Sequence, residues 1–573
     1  MDMPAGARTQ NIKGKTYVFI DTPFWNAEKR RGEHKRNYIG KIEQNGFVPN
    51  SRYLISLQAA QPLKRGPVPA EECRRLFYGA TYLLDQIGSK LGITEDLKAA
   101  FPEHYQQILS VSYFLVLEDG ASAYRFHKWG LTHRHPAGGD ISSQRISDLF
   151  ASVTEASKME FFRRQAKRRS EKEYLAFDTT SISSYSELIH QAKYGKNKEG
   201  DDLPQVNLAL LYGELSRLPV YFRKLAGNIS DVTTIRNLIR DIDFLDMEKL
   251  NFVLDRGFFS ESNINDMMKH HHKFLIGASV SLKIIRKHLD NVRGEKLISW
   301  ENYHDDTGLY IMSFSDEWDY QEEKSRTGET VEAKKRIYIH LYFNDQRCTD
   351  ERVSFSKYLT RLQQELESGN RKEEHEHAYS RFFEVHETPK RGIRITPRED
   401  AIRKRQLDFG YFALMSNGIK DPVEAIRIYR TRDLIEKSFA NLKERLDMRR
   451  MSVSSAENFE GKLFVQFVAL MYLSYIKKMM EKHGLFNNYT MESLLDDLDI
   501  IEYYQQPGKA HHLSEITKKQ AALYDAMEVS QPELQIAPWT GQFCGAKRTR
   551  SGASGHLNFM ILKPHSYTDN NHQ

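Results

Sequence analysis

The sequence predicts an α/β fold class in which a core of alternating strands and helices is interrupted by a β-rich insertion. Between residues 169 and 282, short apolar runs of strand length alternate with helical patterns. A second block of strand-like runs separates this part from a long helical segment that begins near Asp421. The chain has 573 residues, enough for several domains. We therefore expect a mixed core with further regions at both ends.

The composition is that of an ordinary globular protein. Hydrophobic residues make up 40% and charged residues 28% of the chain, with a formal net charge of +6. The 3 cysteines, Cys73, Cys348 and Cys544, are far apart and lack a CxxC spacing. This pattern indicates neither a disulfide framework nor a structural zinc site, and it fits a reducing cytoplasm.

Two segments bear on membrane targeting. The N-terminus has no apolar core, so we expect no secretory signal. The most apolar run, Leu463 to Ile476, contains Gln466 and is too short to span a bilayer. We interpret it as a buried helix.

Residues 1–168 are interpreted as a DNA-binding region with a β-rich start and a helical remainder. Residues 15–56 show strand-like alternation, and helical spacing follows from Pro69 to about Ala166. Basic residues cluster around a predicted turn at Gly32 and at the end of the helical part: Lys29, Arg30 and Arg31, then Arg163, Arg164, Lys167, Arg168 and Arg169. Such clusters can bind DNA phosphates. A solvated hairpin and a plain helical bundle remain the alternatives.

Residues 169–282 form the first part of the core. Tyr174 to Phe177 reads as a strand that ends at Asp178, and two β-rich runs and an amphipathic helix follow. Leu250 to Leu254 reads as another strand, which ends at Asp255, before one more helix and strand. Either aspartate alone could simply cap a turn.

The remaining boundaries follow from changes of pattern. Residues 283–418 form the insertion, with strand-like runs around a highly charged helical stretch. Residues 419–450 form a helix of the core, residues 451–530 a helical C-terminal region, and residues 531–573 a tail rich in small and polar residues that we expect to be poorly ordered.

The segment from Asp421 to Arg450 predicts one long helix. Asp421 is a good N-cap, Pro422 fits the first helical position, and no Gly or Pro follows before Arg450. At about 100° per residue, four polar side chains share one face beside an apolar stripe. They are Tyr429, Arg432, Glu436 and Lys443. One acid beside two cations and a phenol suits a phosphate backbone bound next to a metal ion.

Three motifs carry a family resemblance. The spacing Tyr429-x2-Arg432-x3-Glu436-x6-Lys443 resembles the Y-R-E-K signature of DDE transposases of the insertion-sequence-four superfamily. Asp178-Thr179-Thr180 and Asp255-Arg256-Gly257-Phe258 resemble that superfamily's first and second motif blocks. The order of core elements resembles an RNase H-like core whose last helix carries Glu436. The N-terminal region resembles the branch of longer transposases.

The resemblance implies a catalytic site and its cofactors. Asp178, Asp255 and Glu436 would be the catalytic carboxylates and would hold two Mg²⁺ ions, for which Mn²⁺ can substitute. Asp178 would bridge both ions, with one further carboxylate on each. Water would cut the element's end, and the freed 3′-hydroxyl would attack the second strand or the target. Tyr429, Arg432 and Lys443 would contact the DNA backbone.

The resemblance also implies the partners. They are double-stranded DNA at terminal inverted repeats and at the target, and a second copy of the chain that pairs the two ends. We expect a bacterial cytoplasmic protein associated with the nucleoid, with no membrane and no nucleotide cofactor. The alternatives are an RNase H-like nuclease without strand transfer and a catalytically silent, transposase-derived DNA-binding protein.

Two smaller signals remain open. Trp300 and Trp318 in the insertion could stack on a flipped base or could be core tryptophans. His270, His271 and His272 do not indicate a metal site, because adjacent helical residues point in different directions, and a solvated helix end is the better interpretation.

Overall fold

A computed structural model describes most of the chain. The described residues are 4, 6–12, 14–26, 31–43, 46–50, 53, 73–168, 173–184, 191–194, 203–229, 231–244, 249–323, 330–388, 392–446, 450–451, 455–505 and 511–533. Met1–Pro532 forms one compact unit, and Glu533–Gln573 is a second unit. Of the tail predicted for residues 531–573, only residues 531–533 are described. The domain boundaries drawn from the sequence stay predictions.

The N-terminal residues form a small antiparallel sheet, as predicted. Its strands follow in the order β1 (Ala7–Ile12), β2 (Lys15–Asn26), β3 (Arg31–Glu43) and β4 (Gly46–Pro49). Val18, Ile39 and Phe47 form its apolar core. This core is separate from the main core of the protein.

A helical bundle follows the small sheet. Its elements are β5 (Arg74–Phe77), α1 (Gly79–Lys90), α2 (Ile93–Ala100), α3 (Tyr105–Leu117), α4 (Phe126–Thr132), α5 (Ser143–Ala151) and α6 (Glu155–Lys167). Helix α5 begins after a capping serine, Ser142, whose hydroxyl accepts a hydrogen bond from the Arg145 N–H. Residues 74–77, which carry helical spacing in the sequence, instead form a strand that pairs with a later strand near the C-terminus.

The central sheet contains the predicted order of elements. They are β6 (Tyr174–Ser184), β7 (Gln205–Gly213), β8 (Pro219–Ala226), α7 (Asp231–Phe244), β9 (Asn251–Leu254), α8 (Glu261–Lys269) and β10 (Lys273–Ala278). Strands β6, β9 and β10 are parallel neighbours, and β7 and β8 continue the sheet in antiparallel fashion. Strand β6 does not end at Asp178, as the sequence suggested, but continues to Ser184 because its second half pairs with β7.

The insertion extends the same sheet. Its elements are α9 (Lys283–Val292), β11 (Tyr303–His304), β12 (Leu309–Glu323), β13 (Thr330–Phe343), α10 (Asp345–Glu367), α11 (Glu376–Phe382), β14 (Phe383–Thr388), β15 (Gly392–Pro397), α12 (Glu399–Gln406) and β16 (Tyr411–Ser416). In the described part of the chain the sheet order is β11-β12-β13-β16-β10-β9-β6-β7-β8. The helices of the insertion have their own small core around Leu362, Tyr379 and Phe382.

The C-terminal part is mostly helical. Its elements are α13 (Pro422–Arg430), α14 (Asp433–Glu444), β17 (Arg450–Met451), α15 (Ala456–Lys482), α16 (Met491–Asp499), β18 (Glu502–Gln505), β19 (His512–Leu513) and α17 (Lys518–Ala526). Short 3₁₀ turns lie at Ala123–Arg125, Arg256–Phe258, Gly294–Lys296, Trp300–Asn302, Glu373–His375 and Leu485–Asn487.

Helix α15 joins the bundle to the sheet. It packs against α3, α5, β8 and α14, and its run from Leu463 to Ile476 is buried, as predicted. The helix is long and apolar enough to cross a membrane, but 89% of its apolar window is buried inside the protein, as in a core helix. The buried Gln466 amide donates to the Leu446 carbonyl just beyond α14. Helix α14 is therefore held between α15 and β6.

Candidate active site

The two aspartates lie side by side on neighbouring strands. Strands β6 and β9 are parallel, and Phe177 pairs with Leu254, so Asp178 and Asp255 occupy equivalent next positions. Neighbouring strands are about 4.7–4.9 Å apart. The residues before both aspartates are buried on both faces of the sheet, which is typical of parallel strands in an α/β core. Strand β9 ends at Leu254 while β6 continues to Ser184, so both aspartates lie at the carboxyl-terminal end of β9.

The glutamate lies on a helix that is broken, not continuous. Asp421 caps α13 through a 3.0 Å hydrogen bond to the Val423 N–H, as predicted. However, α13 ends at Arg430 and α14 begins at Asp433, so the prediction of one long helix is wrong. The Thr431 hydroxyl donates to the Ile428 carbonyl, and the backbone bonds at the break span three residues, as in a 3₁₀ turn.

The break brings the polar side chains of both helices together. The Tyr429 hydroxyl donates to Asp255 Oδ1 at 3.0 Å. The Arg432 guanidinium forms an ion pair with the same carboxylate and lies 3.2 Å from Glu436 Oε1. The Arg432 guanidinium also lies 5.3 Å from the centre of the Tyr429 ring. Asp255 and Glu436 therefore share one cation.

The electrostatics of this cluster keep each group in one protonation state. Burial acts to raise the pKa of Asp255, but the Arg432 charge and hydrogen bonds from Arg256 and Tyr429 outweigh it and lower the pKa. Burial, followed by the Asp255 charge, raises the pKa of the Tyr429 phenol. Burial opposes the charge of Arg432, yet Tyr429, Asp255 and Asp178 together raise its pKa. Asp255 is thus ionised, and Tyr429 remains a donor.

Comparison with known proteins identifies the family. Residues 169–472, more than half of the chain, match the family model described as the transposase DDE domain. This chain belongs to the DDE transposase family. No curated protein sequence matches it.

The transposase is also similar to solved structures at low sequence identity. A cryo-EM structure of the piggyBac transposase synaptic complex with hairpin DNA is 10% identical, covers 81% of this chain and 84% of the other, and gives a TM-score of 0.35. The Mos1 transposase paired-end complex with the left transposon end is 11% identical, covers 44% and 66%, and gives a TM-score of 0.11.

The carboxylate oxygens of Asp178, Asp255 and Glu436 are chemically suitable ligands for a hard divalent cation. Oxygen ligands are what Mg²⁺ prefers. The side chains of Asp255 and Glu436 are 44% and 57% exposed, so an ion and its water ligands can reach them. Within the described ranges, no three acidic, histidine or cysteine side chains are already grouped as a metal site. Asp178, Asp255 and Glu436 would hold the ion once Arg432 had left the carboxylates.

A cavity of about 390 Å³ opens beside Asp255. Its lining includes Arg256, Arg347 and Arg430, together with the aromatic side chain of Phe412. Arginine side chains bind phosphate through a planar pair of N–H groups. The cavity therefore offers cationic groups next to Asp255 of the transposase.

Gly277 is a site residue that sequence reasoning missed. It lies in β10, and a Cβ atom at this position would lie 2.8 Å from the Tyr429 hydroxyl and 3.0 Å from the Arg256 backbone nitrogen. The absence of a side chain allows Tyr429 to reach Asp255. A glycine within the strand-like run of residues 273–278 was the available signal, because such a glycine often marks a close approach.

The predicted DNA-binding residues lie in several places. Lys443 lies two helical turns along α14 from Glu436, which is about 10 Å. Arg163 and Arg164 both pair with Glu160, at 2.8 and 2.7 Å. Lys167 ends α6, and Arg31 is exposed at the start of β3. Lys29, Arg30 and Arg169 lie outside the described residues.

Arg168 has a structural partner. Its guanidinium pairs with Asp96, whose side chain is 2% exposed, at 2.7 Å, and with Glu95 at 2.9 Å. Hydrogen bonding to Asp96 is the main cause of its raised pKa. This side chain connects α6 to α2, which leaves it less able to bind DNA than the sequence suggested.

The two tryptophans of the insertion differ. Trp300 is 82% exposed, so a core position is wrong for it. Trp318 is partly buried and donates to Asn265 Oδ1 at 2.8 Å. Among the three consecutive histidines, His272 is 1% exposed, so the solvated helix end describes only His270 and His271.

Proposed function

We propose that this transposase cleaves DNA at the terminal inverted repeats of an insertion sequence and joins the freed ends to target DNA. The observation that carries the proposal is the position of Asp178 and Asp255 on adjacent parallel strands, with Glu436 on a helix packed against β6, the strand of Asp178. Each carboxylate comes from a different element. All three elements belong to the same core around the central sheet.

The residues of the site have distinct roles in this reaction. Asp178, Asp255 and Glu436 would hold two Mg²⁺ ions, for which Mn²⁺ can substitute, and such a pair supplies activation of the attacking oxygen and stabilisation of the leaving oxygen. Arg432, released from the carboxylates, offers a planar pair of donors to a phosphate. Tyr429 stays protonated and holds Asp255 in place. Lys443 contacts the backbone farther along α14.

The chemistry consists of two displacements at phosphorus. Hydrolysis at the element's end leaves a 3′-hydroxyl and a 5′-phosphate. The 3′-hydroxyl then attacks a second phosphodiester, and one new bond replaces the one that breaks. Neither step needs a covalent bond to the protein, so the site requires no serine or cysteine nucleophile.

Residue motifs and the order of strands and helices support a more specific assignment within the family. The Tyr429, Arg432, Glu436 and Lys443 spacing supports the insertion-sequence-four superfamily, and the N-terminal region supports its branch of longer transposases. The succession of β6, β7, β8, α7, β9, α8 and β10 supports an RNase H-like core completed by α14. We further propose a homodimer, because two ends must be joined in one event, and a bacterial cytoplasmic location near the nucleoid.

The test is nicking and joining of a supercoiled plasmid that carries the element with its native ends. Wild-type protein, Glu436→Gln and Glu444→Gln are compared with Mg²⁺, with Mn²⁺ and with chelator. We expect divalent-ion-dependent nicks and joined products from the wild type and from Glu444→Gln, an exposed acid on the same helix. Glu436→Gln should lose both products.

The other outcomes separate the alternatives. Nicks without joined products would indicate a nuclease. Tight binding of the ends without any cleavage would indicate a silent DNA-binding protein. Cleavage that survives Glu436→Gln would mean that the active site lies elsewhere.

A further inference from the structure

We propose that a second cavity, of about 750 Å³ and remote in sequence from the catalytic residues, binds the sugar–phosphate backbone of DNA. The inference rests on the proposed function, since it gives the transposase a second contact with its DNA. The cavity is lined by residues 73–76, 130–131, 133–135 and 138–140 and by Tyr503, Gln505 and His511, from both ends of the chain. All of these lie outside the region of residues 169–472 that matches the family.

The two ends of the chain are held together by paired strands. Strand β5 pairs with β18, with Leu76 opposite Tyr503 and Arg75 opposite Tyr504. The Arg134 N–H donates to the Phe77 carbonyl, which ties the segment after α4 to β5. The walls of the cavity are therefore fixed by backbone hydrogen bonds. A fixed wall loses little conformational entropy when a ligand binds.

Arg134 is the main feature of the cavity. Its guanidinium carbon lies 4.5 Å from the centre of the Tyr78 ring and 4.1 Å from that of the Tyr503 ring. Within the part of the chain that the structure describes, its guanidinium forms no hydrogen bond or ion pair, although its charge acts on the nearby carboxyl group of Asp85. The tyrosine contacts orient the guanidinium while its N–H groups stay available. An oriented planar fork of this kind matches the oxygens of a phosphodiester.

The acidic neighbours of the cavity already have partners. Glu502 pairs with Arg75 at 2.7 Å, Asp140 contacts His127 at 2.8 Å, Asp499 contacts His133 at 2.9 Å, and the Tyr113 hydroxyl donates to Asp85 at 2.7 Å. Arg74 is exposed beside Arg134 and has no ion-pair partner among the described residues. Arg74 and Arg134 thus line one cavity without forming an ion pair among the described residues. This favours a polyanion.

The size and the aromatic groups favour a nucleic-acid strand over a small anion. Cavities of about 300–1,000 Å³ typically hold a whole small ligand. The His511 ring stacks on Tyr503 at 5.3 Å, which gives the cavity a flat aromatic wall near Arg134. Grooves that bind a DNA strand usually combine basic side chains along the sugar–phosphate backbone with aromatic side chains on which bases stack. We assign the cavity to one strand of the DNA that the active site cuts.

The test measures binding of the full-length protein to a fluorescein-labelled DNA duplex by anisotropy, over a salt series and with chelator present. Each phosphate contact contributes about 0.9 to the slope of log K against log salt concentration. We expect the slope to fall by about 0.9 in Arg74→Gln and by about 1.8 in Arg74→Gln/Arg134→Gln. Affinity at about 0.1 M salt should fall roughly tenfold for each arginine.

A matched control is available in the insertion. Arg381 is exposed and its guanidinium lies 5.2 Å from the centre of the Phe382 ring, so it resembles Arg134 in environment but lies outside the cavity. Arg381→Gln should keep the wild-type slope. An equal loss in Arg381→Gln would overturn the inference, because it would show a general effect of charge.

The plasmid assay and the DNA-binding slopes distinguish a failure of the cavity assignment from a failure of the proposed function. If the wild type nicks and joins the plasmid but Arg74→Gln and the double variant bind DNA with the wild-type slope, only the cavity assignment is wrong. If the wild type binds no duplex at all, the proposed function fails with it. Arg74 lies at the exposed rim, so Arg74→Gln gives a valid result even if Arg134→Gln is unstable, which thermal melting will show.

Discussion

At the scale of single residues, Arg432 contacts two of the carboxylates that would hold a metal ion in the proposed function. A guanidinium that pairs with Asp255 and lies 3.2 Å from Glu436 competes with a divalent cation for the same oxygens. We expect Arg432→Gln to bind Mn²⁺ several-fold to tenfold more tightly, which corresponds to roughly 1 kcal/mol. Nicking should nevertheless fall, because the phosphate contact is lost. Calorimetry without DNA measures the Mn²⁺ affinity.

The control for this prediction is Arg427→Gln on the same pair of helices. Arg427 is exposed and pairs with Asp306 at 3.0 Å, away from the three carboxylates. Its Mn²⁺ affinity should equal that of the wild type. Weaker Mn²⁺ binding by Arg432→Gln would show instead that Arg432 orients the carboxylates.

Gly277 tests how closely Tyr429 must approach the strand. A methyl group at Gly277 would lie 2.8 Å from the Tyr429 hydroxyl, which is too close, so the phenol would have to leave Asp255. We expect Gly277→Ala to lower the nicking rate about tenfold or more, since small misplacements at an active site are costly. Gly32→Ala, where a Cβ meets no atom within 4 Å, is the control. Equal rates for all three proteins would contradict the prediction.

At the scale of elements, the break between α13 and α14 determines the site. The Thr431 hydroxyl donates to the Ile428 carbonyl at 2.5 Å and competes with the regular helical bond there. We expect Thr431→Val to favour a more continuous helix, which turns Arg432 and Glu436 away from Asp255. The nicking rate should fall about tenfold while the circular dichroism signal is kept.

Thr360→Val provides the comparison for Thr431→Val. Thr360 is exposed in α10 and donates to the Ser356 carbonyl at 3.0 Å, four residues earlier, without interrupting the helix. Its removal should leave the nicking rate unchanged. If Thr431→Val also retains full activity, the break does not depend on this hydroxyl.

The break also shows what local sequence patterns predict and what they do not. The apolar stripe of this segment is buried as its periodicity indicates, including Ile435, Phe439 and Leu442. The strand before each aspartate is likewise predicted by an apolar run. At the interruption the Thr431 hydroxyl donates a hydrogen bond to the Ile428 carbonyl, and α14 packs against β6; neither contact appears in a periodicity. The contact of Arg432 with Asp255 follows from that interruption.

At the scale of the whole molecule, sheet pairing is what the sequence predicts least well. The strands of the insertion are visible as apolar alternation, but their union with the central sheet requires β13 to pair with β16 and β16 with β10. These partners are far apart in sequence, so no local signal connects them. The pairing of β5 with β18, across most of the chain, was missed for the same reason. That pairing forms the proposed second DNA site.

Glu460 connects three parts of the molecule. It lies in α15 and pairs with Lys158 of α6 at 2.9 Å and with Lys224 of β8 at 2.5 Å. The two lysine side chains are only 5% and 7% exposed. Burial acts to raise the pKa of Glu460, but the two lysines outweigh it and lower the pKa from the ordinary value of 4.5. The folded protein therefore favours the ionised carboxylate.

This ion-pair network predicts a pH-dependent loss of stability in Glu460→Gln. Removing the charge leaves Lys224 buried without its partner, so the free energy of unfolding at pH 7 should fall by about 3 kcal/mol. Because the pKa of Glu460 is depressed by folding, its stabilisation is complete above about pH 4.5 and is lost as the pH falls through the folded-state pKa. The difference between wild type and Glu460→Gln in the free energy of urea unfolding should therefore shrink below about pH 4.5.

The control is Glu457→Gln. Glu457 is an exposed acid one turn earlier in α15, and its variant should match the wild type at every pH. A difference that stays constant down to pH 3 would show that the effect of Glu460 comes from packing and not from its charge.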